Sequence, residues 1–560
     1  MKNKKSEESQ KIKISGKSNY SGLLVSLFLM IFGIVFVVIN PHQIFEGILY
    51  TLFQPKPHVL YFIQNYLSTI SGILIFSTGI ILLAYSRRMN ATNAYIAQNY
   101  YKILALIFVA TLLCATLYGT FRSFDHDEFE HIHSAWYISN GFVPYKDFYE
   151  HHHPLFWYIL QPFFLIAGET TQMLFLASCM QLIIFSACII FTYKTAKLLD
   201  FSKEKIAFLL ILLLTNIIFI SKGTEIRPDG LQCLFCCGAI YFALKFLKKG
   251  EQKQLHNSSF LWSLALVTLQ KAIFLFIPFL AALSLQKIQK SKLTKKFTQI
   301  NLTKAAILFF IPLLIFGAIL NIQGALNDYI LTNWLVNLYF LSSFSAIVQI
   351  RFFIVNWFFW VAGIIAIITG CLDKRSEIRL MSLTSLLFFP TFLVTKTPFL
   401  QYLVPIIPLV SLILADKTIN AFEKLHLNKF TRLLIFGLIC LAPIIFILGS
   451  IPNNLAERTH QLERIDFALK NSASSDYIYD KDIEFNLFRK DIHYFWFSTG
   501  KSSGLGTYNA LTNNKYGDYA VCNLLAEKKP KIASTITISD CNLNNNYTQH
   551  SEFQLSLLNK

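Results

Sequence analysis

Runs of roughly 20 mostly apolar residues recur along this chain and are separated by short polar segments. Each run is long enough for one helix to cross the apolar part of a bilayer, where backbone groups must find partners within the segment. Only 15% of the residues are charged, against about 25% in an average soluble domain. The pattern therefore predicts an all-α polytopic membrane protein. The predicted spans are Tyr20–Asn40, Asn65–Tyr85, Tyr101–Gly119, Met173–Thr195, Ile206–Ser221, Gly230–Leu247, Lys304–Leu320, Phe352–Gly370, Leu380–Val394, Leu400–Ala415 and Leu433–Ser450.

One further apolar stretch, Phe260–Leu285, is interrupted by Gln270 and Lys271. Clusters of lysines flank it on both sides. If both clusters are cytoplasmic, the stretch crosses twice or re-enters, and Lys271 lies at its tip on the far side of the membrane.

Basic residues set the predicted orientation, because cytoplasmic loops are enriched in lysine and arginine. Six lysines precede the first span, which places the N-terminus in the cytoplasm. Alternation then puts four further basic segments inside, and it predicts thirteen crossings of the cytoplasmic membrane. The net charge of +18 is explained by this topology, so it does not indicate a nucleic-acid partner.

The spans divide the chain into regions. Residues 1–19 form a basic cytoplasmic tail, and residues 20–100 hold two N-terminal transmembrane helices. The first apolar run lacks a small-residue cleavage site and is expected to be retained. Residues 101–450 form the main transmembrane domain with a long external loop at 120–172, and residues 451–560 form an extracytoplasmic (periplasmic) domain.

The C-terminal region is polar and mixed. Leu455–Leu469 has helical periodicity, and Ser475–Tyr479 and Lys531–Ser539 are candidate strands, so a small α/β domain is expected. Cys522 and Cys541 are the only cysteines in this region, and an extracytoplasmic location would allow them to form a disulfide. The other eight cysteines lie in or beside apolar segments and are expected to pack in the core.

Polar chemistry concentrates in the external loop. Six carboxylates and six of the 13 histidines fall between Asp125 and His153. Aromatic residues are interleaved among them, which disfavours a merely solvated loop. A cluster of this kind at one face of a membrane protein indicates a functional site.

A helix is predicted from Asp127 to Ser139, with Asp127, His131 and Ser134 on one face and an end at Gly141. The chain then returns a second carboxylate, Glu150, to the membrane surface. Two such carboxylates could act as a general base and as a ligand for substrate or metal, and the spacing does not separate these options.

A second polar insertion, SKGTEIRPDG, contains Arg227 beside Glu225 and Asp229. An arginine near the membrane is costly unless it is paired or used, so an ion pair and a phosphate-binding role are both open. Lys271 and Lys396 complete an external ring of cations. Such a ring suits a reaction in which a hydroxyl displaces a lipid phosphate from a sugar.

The loop resembles the first external loop of the GT-C superfamily of glycosyltransferases, which includes protein O-mannosyltransferases, lipid A aminoarabinose transferases and related lipopolysaccharide sugar transferases. The residues that carry this resemblance are Asp127–Glu128, Gly141, Pro144, Tyr145, Glu150 and Pro154–Leu155. Weaker similarities occur at Glu225–Gly230, Thr268–Ala272, Lys396, Tyr402, Pro405 and Pro408. Together they cover most of Tyr101–Ser450, with two more spans before the loop than many relatives have.

The resemblance implies a GT-C-like bundle and inverting transfer from a polyprenyl-phosphate-linked sugar. The acceptor would be lipopolysaccharide or lipid A, a cell-surface glycan or a protein. Asp127 would be the base, while Glu128 and Glu150 would orient substrate or hold a divalent metal. The residues expected to bind substrate are His131, Tyr145, His151, Arg227, Asp229, Lys271, Lys396 and Tyr402, with Arg227, Lys271 and Lys396 at the lipid phosphate. His151 and His153 are the candidate metal ligands, and metal dependence stays open.

Two other functions fit parts of the pattern. A transporter or flippase for a lipid-linked or anionic substrate would also be polytopic, but it should carry charges within its spans and internal repeats. A phosphoethanolamine-type transferase or a sensor would need a nucleophilic threonine motif, and none is recognisable. The sequence identifies neither the sugar nor the acceptor.

Overall fold

The computed structural model describes residues 90–289, 302–339, 350–394, 399–481, 483–500 and 503–559. The basic tail, the first two predicted spans and Lys396 lie outside the described residues. The described helices are α1 (Asn90–Phe121), α2 (His126–Ser139), α3 (Leu155–Leu160), α4 (Phe164–Ala167), α5 (Gln172–Leu198), α6 (Lys203–Thr215), α7 (Ile217–Gly223), α8 (Pro228–Lys249), α9 (Gln252–Thr268), α10 (Ile273–Gln289), α11 (Leu302–Ile322), α12 (Leu326–Tyr329), α13 (Asn337–Tyr339), α14 (Ile350–Val355), α15 (Trp357–Cys371), α16 (Ser376–Val394), α17 (Ile407–Lys424), α18 (Lys429–Lys470), α19 (Gly504–Leu511), α20 (Val521–Lys528) and α21 (Thr535–Asp540).

Five described helices are long and apolar enough to span a membrane, namely α5, α8, α11 and parts of α1 and α18. The bent pair α6–α7 raises this number to six. Large apolar side chains point outward from these helices, as lipid-facing residues do; Ile183, for example, is 70% exposed. The predicted total of thirteen crossings is not confirmed, because several other predicted spans form shorter helices and two fall on residues that are not described.

The predicted span Ile206–Ser221 is broken at Asn216, where α6 and α7 meet at an angle of 62°. The side chain of Asn216 accepts a hydrogen bond from Phe219 N and so caps α7. Asn356 accepts from Ile217 N at 2.8 Å and donates to Thr215 O at 2.8 Å. These contacts satisfy the backbone groups that the break frees, which permits a kink at membrane depth. The kink leads the chain into the segment that carries Arg227.

The stretch predicted to re-enter forms two helices, α9 and α10, joined by a 3-10 turn at Gln270–Ala272. Lys271 lies in this turn. Gln270 Nε2 donates to His151 O at 3.2 Å, so the turn lies beside the external loop.

The last predicted span and the helix predicted at Leu455–Leu469 are one continuous helix, α18, of 42 residues. It leads into the C-terminal region, whose strands are β1 (Ile478–Tyr479), β2 (Ile532–Ser534), β3 (Tyr547–His550) and β4 (Leu555–Leu558). Their order in the sheet is β1-β2-β4-β3, with β1 parallel to β2 and the other pairs antiparallel.

The candidate strand Lys531–Ser539 is only partly a strand. Pairing of β2 with β4 ends at Ser534 opposite Leu555, and α21 begins at the next residue. Beyond that point β4 offers no partner, so the β-branched residues form a helical turn instead. Cys522 and Cys541 form a disulfide, which ties α20 to the end of α21.

Candidate active site

The first turn of α2 places Asp127. Asp125 is the N-cap residue, and its side chain accepts from Asp127 N at 3.2 Å. Glu128 completes a capping box by accepting from Asp125 N at 2.8 Å. The Asp-Glu pair that the sequence singles out therefore starts a helix, and its two carboxylates point to different surroundings.

The carboxylate of Asp127 forms an ion pair with the guanidinium of Arg227 and accepts from His126 Nε2 at 2.8 Å. Burial works against ionisation of Asp127, but Arg227 and His126 outweigh it and hold the pKa of this carboxyl well below its usual range. The side chain of Asp127 keeps 21% of its surface exposed. It is therefore an ionised and reachable carboxylate.

Arg227 is almost fully buried, with 2% of its side chain exposed. Besides Asp127, three carboxylates lie within 4 Å of its guanidinium: Asp229 at 3.4 Å, Glu225 at 3.6 Å and Asp125 at 3.8 Å. Of the two roles left open by the sequence, its contacts favour the ion pair. Asp229 was expected to bind substrate, and it lies against Arg227 instead.

Glu128 lies outside this reachable space. It is fully buried and binds Arg122 through both oxygens, at 2.5 and 2.6 Å. It also accepts from Ile226 N at 2.7 Å. These bonds fasten the loop to the chain just before α8. The expected role of Glu128 in orienting substrate or holding metal therefore finds no support in its contacts, which are structural.

Glu150 reaches the same face of α2 as Asp127. It accepts from Ser134 Oγ at 2.8 Å and from His151 N at 2.9 Å. It also shares a hydrogen bond with Glu130, and burial raises the pKa of Glu150 to about 7. The pKa of Glu130 is held well above its usual range by burial and by the charge of Glu150. Two carboxylates that hydrogen-bond to each other share a proton, so this pair carries one.

One group of side chains could surround a cation. Ligand atoms of Glu130, Glu150, His151 and His152 all lie within 4.8 Å of one another. Two carboxylates and two imidazoles make a donor set that suits Zn²⁺. His151 thus has the neighbours that a metal ligand would need. His153, the other candidate ligand, does not join the group; its Nε2 lies 3.0 Å from Tyr329 OH.

A second group, Asp125, His126 and Asp127, is equally compact. Lys222 Nζ lies 3.3 Å from Asp125, and Arg227 is paired with Asp127. These cations already match the charge of the two carboxylates, which disfavours a metal there.

His131 and His151 lie near each other in the loop. The ring of His152 lies against both, with centroids 5.0 Å from that of His131 and 4.1 Å from that of His151. Burial, Arg227 and Lys271 lower the pKa of His131 well below its usual range. Burial and Lys271 lower the pKa of His151 to about 3, so both rings are neutral.

Lys271 supplies a cation without a matching carboxylate. Its Nζ lies over the ring of Tyr402, 4.3 Å from the centroid. Within the described part of the chain, no carboxylate forms an ion pair with it. These two residues, both expected to bind substrate, are therefore in contact with each other.

Tyr145, expected to contact substrate, is packed inside the loop, and that role stays a prediction. It is fully buried, its φ is +68°, and its hydroxyl donates to His152 O at 2.5 Å. This bond holds the two ends of the loop together and fixes the backbone between Glu150 and His153.

The C-terminal domain covers the loop, and sequence reasoning missed this. Asp491 lies 2.6 Å from His133 Nε2 and accepts from Tyr137 OH at 2.8 Å. Trp496 Nε1 donates to Tyr149 O at 2.9 Å. No motif marks these residues, because isolated aromatic and acidic side chains occur throughout the region. The residues that sequence reasoning did not single out are Arg122, Glu130, His133, His152, Trp157, Asp491 and Trp496.

The described helices form a membrane-protein fold of the GT-C type. Residues 151–316 match the sequence model of the family described as dolichyl-phosphate-mannose-protein mannosyltransferase. No curated protein sequence matches this chain. Among solved structures, the chain is similar to ArnT from Cupriavidus metallidurans bound to undecaprenyl phosphate. The TM-score is 0.60 and the sequence identity is 10%, and the match covers 81% of this chain and 97% of that one.

The apo state of the same ArnT gives a TM-score of 0.60 and 12% identity over the same shares of the two chains. The archaeal oligosaccharyltransferase AglB from Archaeoglobus fulgidus gives a TM-score of 0.47 and 11% sequence identity. The match covers 79% of this chain and 70% of that one. The resemblance to the GT-C superfamily predicted from the loop is thereby confirmed, with the ArnT fold as its structural basis.

Proposed function

We propose that this protein is an inverting membrane glycosyltransferase that moves a hexose or pentose from a polyprenyl-phosphate-linked donor to a hydroxyl acceptor. The reaction takes place on the outer face of the cytoplasmic membrane. The acceptor is lipopolysaccharide or lipid A, a cell-surface glycan or a protein. The observation that carries this proposal is the ionised, partly exposed carboxylate of Asp127 in a loop that contacts the turn holding Lys271, a cation without a carboxylate partner among the described residues.

Asp127 is the general base. Its position at the start of α2 and its bonds to Arg227 and His126 fix its orientation, which a base needs in order to meet a hydroxyl. As the acceptor oxygen bonds to the anomeric carbon from the face opposite the phosphate, its proton passes to Asp127. The bond between that carbon and the phosphate oxygen breaks, and the electron pair leaves with the phosphate. Inversion follows from this single displacement.

The leaving group needs its charge matched more than it needs a proton, because a phosphate is a stable anion. Lys271 is suited to this task, since its ammonium group is held over Tyr402 and has no carboxylate partner in the described chain. Lys396, which lies outside the described residues, remains a proposed second phosphate ligand. Arg227 acts mainly on Asp127, because carboxylates surround it.

A candidate metal site lies next to the base. Glu130, Glu150, His151 and His152 would hold a divalent ion. When bound, the ion would neutralise charge on the substrate. Without it, Glu150 holds the backbone of His151 and the hydroxyl of Ser134 in place.

The deciding experiment compares Asp127→Asn with Asp147→Asn in membranes supplied with undecaprenyl-phosphate-linked hexoses and pentoses. Asp147 lies in the same loop, but it is exposed and accepts from Val143 N. Loss of a positioned base should lower transfer by about 100-fold or more in Asp127→Asn only. A folded, fully active Asp127→Asn protein would refute the mechanism. Covalent labelling of an acceptor, as opposed to movement of intact donor, separates a transferase from a flippase.

A further inference from the structure

Trp157 fixes the proton of His131 on one nitrogen. Its indole Nε1–H lies 3.0 Å from His131 Nδ1, and an indole nitrogen can only donate. Nδ1 must therefore accept, so the neutral ring carries its proton on Nε2. Both side chains are fully buried, which keeps water from competing for the bond.

The Nε2–H of His131 has no hydrogen-bond partner among the described residues, although it is buried. A buried donor left without a partner costs about 1–3 kcal/mol, and native proteins keep few of them. His131 lies one helical turn after Asp127 on α2, its ring packs against that of His152, and the turn that holds Lys271 bonds to the backbone of His151. An acceptor atom that enters from outside the chain would satisfy this donor.

The charges around His131 indicate what kind of acceptor this is. Asp127 is neutralised by Arg227 and His126, whereas Lys271 has no carboxylate partner in the described chain. An uncompensated ammonium and a neutral N–H donor near the same loop are complementary to an oxyanion. A neutral imidazole can donate to it without bringing a second positive charge close to Arg227.

We propose that His131, held in a single tautomer by Trp157, donates a hydrogen bond to a phosphate oxygen of the polyprenyl donor, an inference that rests on the proposed function. Trp157 is a positioning residue, since it acts through His131. Lys271 supplies the positive charge at this oxygen, and the hydrogen bond from His131 fixes the orientation of the phosphate. Because the bond persists when the phosphate leaves with its negative charge, it favours departure of the leaving group.

Binding of undecaprenyl phosphate to the purified full-length protein in nanodiscs tests the idea without requiring transfer. A glutamine amide can place its N–H where His Nε2–H lies, whereas an asparagine amide reaches only the Nδ1 position. His131→Asn should weaken binding about tenfold, the effect of one hydrogen bond to a charged group. His131→Gln should stay near the wild-type affinity.

Trp157→Phe should also weaken binding, by about three- to tenfold, because the ring of His131 then occupies both tautomers. In the His131→Gln background the same change should have no further effect, since an amide has no tautomer to fix. Trp262→Phe is the matched control: Trp262 is equally buried, and its Nε1 has no hydrogen-bond partner among the described residues. It should bind as wild type does.

Each outcome is decisive. Equal affinities of wild type, His131→Asn and Trp157→Phe for undecaprenyl phosphate would overturn the proposal. The proposal would also fail if His131→Asn and His131→Gln lost the same affinity and Trp157→Phe lowered the affinity further in both backgrounds. If the wild-type protein itself does not bind undecaprenyl phosphate, the proposed function fails as well. The two failures are thus told apart by the wild-type measurement alone.

Discussion

The carboxylate of Asp127 is paired with the guanidinium of Arg227, and both side chains lie where α2 begins next to the start of α8. Arg227 is buried, while Asp127 keeps part of its surface exposed. Removing one member of such a pair leaves the other charge without a partner in a poorly solvated place. The pair therefore keeps Asp127 ionised and also holds it in one orientation.

Arg227→Lys tests whether this arginine serves the base or the donor phosphate. Lysine keeps the positive charge but loses the planar fork that also reaches Asp229. Misplacing a catalytic group by about 1 Å can cost up to about 100-fold in rate, so kcat should fall while KM for the donor stays unchanged. Steady-state kinetics with a varied donor measures both constants.

The control for this substitution is Arg432→Lys. Arg432 forms a partly buried ion pair with Glu204 at the start of α6, which is the end of the α6–α7 pair opposite the site. It should leave both constants unchanged. If Arg227→Lys instead raises KM for the donor with an unaltered kcat, Arg227 binds the phosphate.

Glu128→Gln should lower the stability of the protein and leave its catalytic rate unchanged. A glutamine offers a single oxygen and no charge, so Arg122 would lose its carboxylate while buried. Breaking a buried ion pair costs about 3–5 kcal/mol, and the midpoint of thermal unfolding should fall clearly. The kcat of the protein that remains folded should match that of wild type. A stable Glu128→Gln protein without activity would mean that Glu128 contacts substrate.

The sequence was sufficient for the helical class of the fold, for the loop as the centre of polar chemistry and for the helix that carries Asp127. Lipid imposes a length and an apolar composition on a span, and an Asp125 cap followed by Gly141 marks the limits of a helix. Periodicity could not reveal the break at Asn216, because Asn356, which satisfies its backbone, lies 140 residues further along the chain.

The ion-pair partners of individual charged residues could also not be predicted from the sequence. Adjacent carboxylates such as Asp127 and Glu128 look equivalent in a motif, but the helix turns them about 100° apart, towards Arg227 and Arg122. Glu130 gains its place in the cluster from Glu150, which lies twenty residues later in the chain and packs against it. Contacts of this kind are set by tertiary packing, which local spacing does not encode.

His126 should stabilise the protein in a pH-dependent way. The hydrogen bond to Asp127 and its charge raise the pKa of His126 from 6.5 to about 9. A raised pKa means that the stabilisation is fully present below pH 6.5 and is lost as the pH rises through about 9. The thermal midpoint of His126→Gln should thus lie below that of wild type at acidic pH and coincide with it in alkaline buffer. Because the His126 side chain is 66% exposed, the difference will be modest.

The Asp127→Asn background provides the control for His126. With a neutral amide at position 127, the charge that raises the pKa is absent, and His126→Gln should change little at any pH. A difference that is independent of pH in the wild-type background would assign His126 a packing role instead.

Glu130→Gln asks whether a proton or a metal ion holds the cluster beside the base together. Glu130 and Glu150 lie against each other, and burial raises the pKa of both carboxyls, which favours a proton shared between them. A glutamine reproduces a protonated carboxyl group in size and in its ability to donate. We therefore expect Glu130→Gln to fold and to transfer sugar nearly as wild type does, and we expect activity to survive extensive washing with EDTA.

Glu150→Gln should be less stable, because Ser134 Oγ and His151 N would lose a charged acceptor. Inactivation by EDTA that added Zn²⁺ reverses, together with an inactive Glu130→Gln protein, would show that a metal replaces the proton at this site.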